Sequence, residues 1–212
     1  SCAPSCEMSR IGGAISSFDT ETDAVYQWLG LPQGAVFPMT PTEVRFPIYF
    51  PTLGSAQDVA YYTMSLGCLG FGDPCCPPGE ELCSQTFSVP RETPFQTIVD
   101  VDLNLGALGC CMNEPFWFGL RLDSMSSGAP PPSFLFSTVN QDSAPPQACE
   151  QWSGHAGFLR SSREDNLAWA DMTLRAACGS CLTGNPATCG TVNYGSLECG
   201  SALSLACVDS GW

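Results

Sequence analysis

Residues 95–105, FQTIVDVDLNL, alternate with a period of two, the repeat of an extended chain. Successive side chains of a strand point to opposite sides, so Phe95, Thr97, Val99, Val101, Leu103 and Leu105 share one face. Gln96, Asp100, Asp102 and Asn104 share the other. The period returns in TEVRFPIYF, with Val44, Phe46, Ile48 and Phe50 opposite Arg45, Pro47 and Tyr49. It returns again in EPFWFGLRLD, which sets Phe116, Phe118, Leu120 and Leu122 inward and Trp117, Arg121 and Asp123 outward. Pro47 and Pro51 cannot donate to a ladder, so the TEVRFPIYF strand is expected at a sheet edge. VAYYTMSLGC, LCSQTFSV, PSFLFSTV, HAGFLRS and NLAWADMTLRAAC supply further strands, separated by breaks such as GDPCCPPGEE and SSGAPPPS.

Many short strands between turn signals predict an all-β fold, an antiparallel β-sandwich of jelly-roll-like topology. One face of each strand is buried and the other wet, which accounts for the alternation. Helical spacing occurs in SFDTETDAVYQWLGLP, where Val25, Trp28 and Leu29 repeat, Asp19 or Thr20 caps the start, and Gly30 with Pro32 stops the run. A short N-terminal helix is therefore expected. The chain divides into an N-terminal arm over residues 1–34, a sandwich domain over 35–178 and a Cys-rich extended arm over 179–212. Its 212 residues are enough for a sizeable core. No apolar run approaches the roughly 20 residues that span a bilayer.

Fourteen cysteines point to an oxidising compartment, and so to a secreted, extracellular or cell-surface protein. They are Cys2, Cys6, Cys68, Cys75, Cys76, Cys83, Cys110, Cys111, Cys149, Cys178, Cys181, Cys189, Cys199 and Cys207. Cys178 and Cys181 have the CxxC spacing of zinc knuckles and of thioredoxin-like centres. Zinc would want a second CxxC or paired histidines nearby, and a redox motif would want a βαβ setting; neither is present. Structural disulfides are the reading adopted for all fourteen. Five cysteines fall in residues 178–212, an odd number, so at least one bridge must leave that segment. Cys2 and Cys6 could close on each other, or arm cysteines could cross-link neighbouring subunits. The vicinal pairs Cys75-Cys76 and Cys110-Cys111 should each bridge in two directions, with Cys110 or Cys111 reaching a loop near residues 68–83.

Net charge is −14, with seven arginines and no lysine. Such a chain repels nucleic acid and anionic membranes, so neither nucleic-acid binding nor membrane insertion is expected. His155 is the single histidine, and no G-x-S-x-G elbow is present, so a Ser-His-Asp site has one possible base. A glycoside hydrolase needs only two suitably spaced carboxylates and stays as a minority alternative; the chain is read as no enzyme and as needing no cofactor. Asp19, Glu21 and Asp23 are spaced as in a calcium loop but lack its glycine. Asp100 and Asp102, with Asn104, put three oxygen ligands on one strand face. A helix N-terminus and a solvated sheet face are the plainer explanations. Trp117 and Arg121, with Trp152 and Tyr49, form a candidate sugar-stacking platform, set against burial of Trp117 under a disulfide-bonded loop or in a subunit interface.

The runs CCMNEPFWFGLRLD, PSFLFSTV and ACEQW resemble secreted bacterial β-sandwich domains of large surface proteins, over residues 84–178. That resemblance implies an extracellular, noncatalytic module in an adhesive, carbohydrate-binding or structural setting. Excess cysteine, two small-residue arms and the lack of catalytic groups favour an extracellular structural subunit that self-assembles into a filament, tubule or surface layer. Its partners would be other copies of itself, with residues 1–17 or 185–212 as strand donors to open sheet edges. A carbohydrate-binding or adhesive module is the alternative, with glycans as partners. No N-x-[ST] sequon is present.

Overall fold

The computed structural model describes residues 5–10, 15–19, 24–28, 37–51, 54–68, 80–126, 128, 130–137, 151–155, 158–161, 169–170, 172–182 and 184–187. In chain order the strands are β1 (Ser5–Arg10), β2 (Ile15–Asp19), β3 (Ala24–Trp28), β4 (Met39–Phe50) and β5 (Val59–Cys68). They continue as β6 (Glu81–Pro90), β7 (Thr97–Asn104), β8 (Phe116–Met125), β9 (Ser133–Ser137), β10 (Gln151–His155), β11 (Phe158–Ser161), β12 (Trp169–Ala170) and β13 (Met172–Cys178). One short 3-10 turn, Gly106–Leu108, follows β7.

Every strand pairing is antiparallel, and the strands form two sheets. The larger runs β1-β13-β4-β9-β12, with β7 also on β4 and β2 also on β9; the smaller runs β11-β10-β3-β8-β5-β6. Their inward residues meet in one core. Val44, Phe46, Ile48 and Phe50 of β4 and Val101 and Leu103 of β7 come from one sheet. Ala60, Tyr62, Met64 and Leu66 of β5 and Phe116, Phe118 and Leu120 of β8 come from the other. Phe46 joins the two layers, its ring centroid 6.1 Å from Phe118 and 5.8 Å from Phe87. Each large apolar side chain so buried contributes about 1.5–3 kcal/mol, which is what fixes the alternation read from the sequence. Burial also pushes the Tyr62 phenol well above its usual pKa, so this residue stays neutral.

Three expectations are corrected. The N-terminal helix is replaced by strand: Ala24–Trp28 is β3, hydrogen-bonded between β8 and β10, with Ala24 opposite Arg121 and Trp28 opposite Trp117. Val25, Tyr26 and Trp28 suit a pleated surface, and two neighbouring ladders outweigh a helical repeat too short to nucleate alone. β4 lies inside its sheet, between β7 on one side and β13 on the other. Its prolines are tolerated because of where they fall. Pro47 lies between the end of the β13 register at Arg45 and the start of the β9 register at Ile48. Pro41 sits at a register shift opposite β13. Phe95, expected inward, is 74% exposed in the turn before β7.

Parts of the segment read as an N-terminal arm take part in the sheets. β1 pairs with β13, β2 with β9, and β3 with β8. Residues 5–10 and 15–17, expected as strands for another copy, are paired within their own chain. HAGFLRS spans the end of a hairpin, His155 facing Phe158 across β10 and β11.

Candidate functional site

The cysteines organise the end of the molecule where β1, β13 and the following segment meet. β1 and β13 lie side by side, and Cys6 bridges to Cys178 with Cα atoms 6.0 Å apart. This excludes closure of Cys6 on Cys2. The vicinal pair bridges in two directions, as expected, although it lies between β7 and β8 and in neither strand: Cys110 bonds Cys83 of β6, and Cys111 bonds Cys181. Cys178 and Cys181 therefore take different partners, and the CxxC spacing makes neither a dithiol centre nor a metal knuckle. Two bridges among the described residues leave the C-terminal segment, where full pairing of its five cysteines requires an odd number. Cys68 is also disulfide-bonded. Cys2, Cys75, Cys76, Cys149, Cys189, Cys199 and Cys207 lie outside the described residues.

Hydrogen bonds repeat what the disulfides do. The fully buried Thr40 hydroxyl donates to Ser180 O at 3.3 Å and accepts from Leu182 N at 3.1 Å. Ala187 N donates to Cys111 O at 2.8 Å. Ser180, Cys181, Leu182 and Ala187 are thus fastened to β4 and to the Cys111 segment by backbone and side-chain bonds, and by a covalent link.

The aromatic platform is not assembled. Tyr49 is on β4 of the larger sheet, while Trp117 and Trp152 are on β8 and β10 of the smaller. Trp117 points away from the core yet is only 1% exposed, so its ring offers no face to a sugar. Its indole N–H finds no partner among the described residues. Arg121 is open to solvent and donates from Nε to Asp123 Oδ1 at 2.9 Å. Among the described residues an exposed ring on this sheet is one that sequence reasoning missed: Tyr61, 43% exposed on β5. It stands in register with Ser88 of β6 and Ser124 of β8, beside Thr63, whose hydroxyl donates to Asp123 Oδ2 at 2.6 Å. The signal was present, since Tyr61, Thr63 and Ser65 alternate with Ala60, Tyr62, Met64 and Leu66.

Neither set of calcium candidates forms a three-ligand group among the described residues. Asp19 closes β2 opposite Phe134, and Glu21 and Asp23 lie outside the described residues. Asp100, Asp102 and Asn104 do face outward on β7. Asp102, however, pairs with Arg45 at 3.0 Å, and Asn104 Oδ1 accepts from Gly106 N at 2.9 Å. No group of three potential metal ligands occurs among the described residues. The outer face of this sheet carries instead a charge chain crossing four strands: Glu7 on β1, Arg175 on β13, Glu43 and Arg45 on β4, and Asp102 on β7. The Arg45 hydrogen bond is the chief cause holding the Glu43 carboxyl below its usual pKa, with Asp102 and Arg175 adding to it.

A second unforeseen feature lies at the β4–β5 and β6–β7 turns. Arg91 is 1% exposed and Asp58 3%. The Arg91 guanidinium donates to the carbonyls of Thr93 (2.8 Å), Pro94 (3.1 Å), Phe95 (3.2 Å) and Pro51, and lies 5.8 Å above the Phe50 ring. The Arg91 backbone N–H donates to Asp58 O at 2.9 Å, and Asp58 Oδ2 accepts from Ser55 N at 2.7 Å. With the carbonyls turned in to the cation, the Phe95 side chain is turned out. A Cβ on Gly54 would collide with Arg91 and lie 2.6 Å from Asp58 Oδ2, so this turn needs glycine.

Comparison with known proteins gives no match from any family model, curated protein or solved structure.

Proposed function

We propose that the chain is an extracellular structural protein, a noncatalytic subunit that self-associates into a filament, tubule or surface layer. The observation that carries the reading is the double bolting of the chain's flanking segments. Cys6–Cys178 and Cys111–Cys181 fasten them to a body that already has an extensive apolar core. A domain of this size folds without such bonds, and the added covalent links suit a durable subunit in an oxidising space. The orders β1-β13-β4-β7 and β3-β8-β5-β6 support reading the two sheets as a jelly-roll β-sandwich, eight strands wound as two Greek keys. On this reading β9 to β12 are an insertion before the last strand. No helix among the described residues is long and apolar enough to cross a membrane.

The test is electron microscopy of native, unreduced material, with mass analysis of its disulfides. Regular fibres, tubes or sheets are expected. Single compact particles at high concentration, with every bridge internal, would overturn the reading.

A carbohydrate-binding or adhesive role is the second reading. It is favoured by the outer face of the smaller sheet, where the exposed Tyr61 ring stands near Thr63 and the Arg121–Asp123 pair. A glycan array should then give hits that Tyr61→Ala loses; a blank array removes the reading.

A further inference from the structure

β6 ends the smaller sheet, and among the described residues its one strand partner is β5. Edge strands of soluble proteins are commonly guarded by charges, internal prolines or bulges, because their unpaired N–H and C=O groups invite another strand. β6 has few such guards. From Leu82 to Pro90 it holds no charged residue, in a chain of net charge −14. Its one proline is its last residue, and its register shift with β5 lies at its first turn of pairing, opposite Leu66 and Gly67. Its inner face is also incompletely covered: Cys83 and Phe87 pack on the core but are only partly buried.

The sequence of this edge is close to symmetric about its middle. Ser84-Gln85-Thr86-Phe87-Ser88 places Ser on both sides of Thr86 on the exposed face. We propose that β6 is the surface on which a second copy of this chain pairs, strand against antiparallel strand, about a two-fold axis at Thr86. This rests on the self-assembly reading above and names its contact. In that pairing Thr86 faces Thr86 of the second copy, and Ser84 faces Ser88 of the second copy. Such hydroxyl pairs are favourable across strands, and an isologous contact needs this self-complementarity. The uncharged strip also puts two strongly acidic molecules together where they carry the fewest carboxylates. Glu80 comes opposite Glu92 of the second copy at each end of the strip, so association strengthens as salt screens that repulsion. The contact closes as a dimer, and a filament requires another contact elsewhere on the subunit.

Sedimentation velocity on the full disulfide-bonded chain, at low and high ionic strength, measures the association. Wild type should dimerise or assemble further, more readily at high salt. Thr86→Lys and, separately, Ser88→Lys should weaken association by about tenfold or more, with far-UV circular dichroism and the disulfide map unchanged. Thr86→Val, which keeps the main-chain ladder and loses only the hydroxyl pair, should weaken association much less than the lysine variants do. If the lysine variants associate as wild type does, the β6 contact is wrong and self-assembly runs through another surface. If wild type stays monomeric throughout, the self-assembly reading falls and this inference with it. Hydrogen exchange on wild type alone gives an independent check, needing no variant to fold. Amides of residues 82–90 should exchange more slowly in concentrated than in dilute samples, and equal rates would overturn the contact.

Discussion

Arg175 on β13 donates from Nε to Glu7 Oε2 on β1 at 2.9 Å, joining residues 168 positions apart in the chain. From the other side of its fork, Nη1 reaches Glu43 Oε2 at 3.3 Å, so one guanidinium spans three adjacent strands. Both carboxylates and the cation are partly open to solvent, where such pairs are screened and individually weak. Their joint effect is registration of β1, β13 and β4, the strands that the Cys6–Cys178 bond then locks.

The Glu43 carboxyl titrates below its unfolded value, so it adds stability above about pH 4.5 that is lost as pH falls through the lower, folded pKa. Thermal melts across pH 3–7 should show a steeper acid decline for wild type than for Glu43→Gln. The difference should shrink at high salt. Parallel curves would show that the charge chain does not couple to folding.

Nonreducing peptide mapping should find one cluster in which the Cys110-Cys111 peptide is tied both to Cys83 and to Cys181, with Cys6 joined to Cys178. A Cys178–Cys181 peptide should not appear. The Cys111→Ser/Cys181→Ser pair removes a link across 70 positions, which by loop entropy costs about 4.4 kcal/mol. That double variant should also be cut by protease near residues 180–187 faster than wild type.

Arg91→Met leaves the carbonyls of Pro51, Thr93, Pro94 and Phe95 without their donor, and should cost about 3 kcal/mol or more in urea unfolding. Arg91→Lys should recover little of this, since an ammonium lacks the planar fork that reaches several carbonyls. Full recovery by lysine would reduce the residue's role to charge.

Glu92, beside it, has φ 66°, a left-handed conformation that side chains other than glycine or asparagine resist. Glu92→Gly should therefore be stabilising by about 0.5–1 kcal/mol, read as a higher urea midpoint at unchanged slope. Loss of stability would mean that its carboxylate makes a contact worth more than the strain.

Strand faces were legible wherever period two ran for several residues, as in β4, β7 and β8, because burial of one face leaves its mark at every second position. Phe95 broke the rule because the Arg91 guanidinium, which also reaches Pro51 forty positions away, draws in the carbonyls of Thr93, Pro94 and Phe95. The helix expectation over Val25, Trp28 and Leu29 failed because local spacing carries no trace of the β8 and β10 ladders that capture this segment. Pro47 misled in a different way. Proline forbids a donor and says nothing about whether a neighbour requires one there, and the gap between β13 and β9 does not. Divergence of Cys110 and Cys111 followed from local geometry, whereas the choice of Cys83 and Cys181 as partners depends on the three-dimensional path. Trp117 shows the same limit, since its outward direction was readable and its burial was not.

The Cys6–Cys178 bond makes the chain between those residues a covalent ring. A single proteolytic cut in any turn from 7 to 177 opens the ring without dividing the molecule. Nicked protein would migrate as one species until reduced, with the pieces still hydrogen-bonded in their sheets. Two cuts in separate turns are needed before a fragment can leave, and a fragment holding Cys83 and another holding Cys110 would remain attached even then. Wear of this kind accumulates without loss of any piece of the chain.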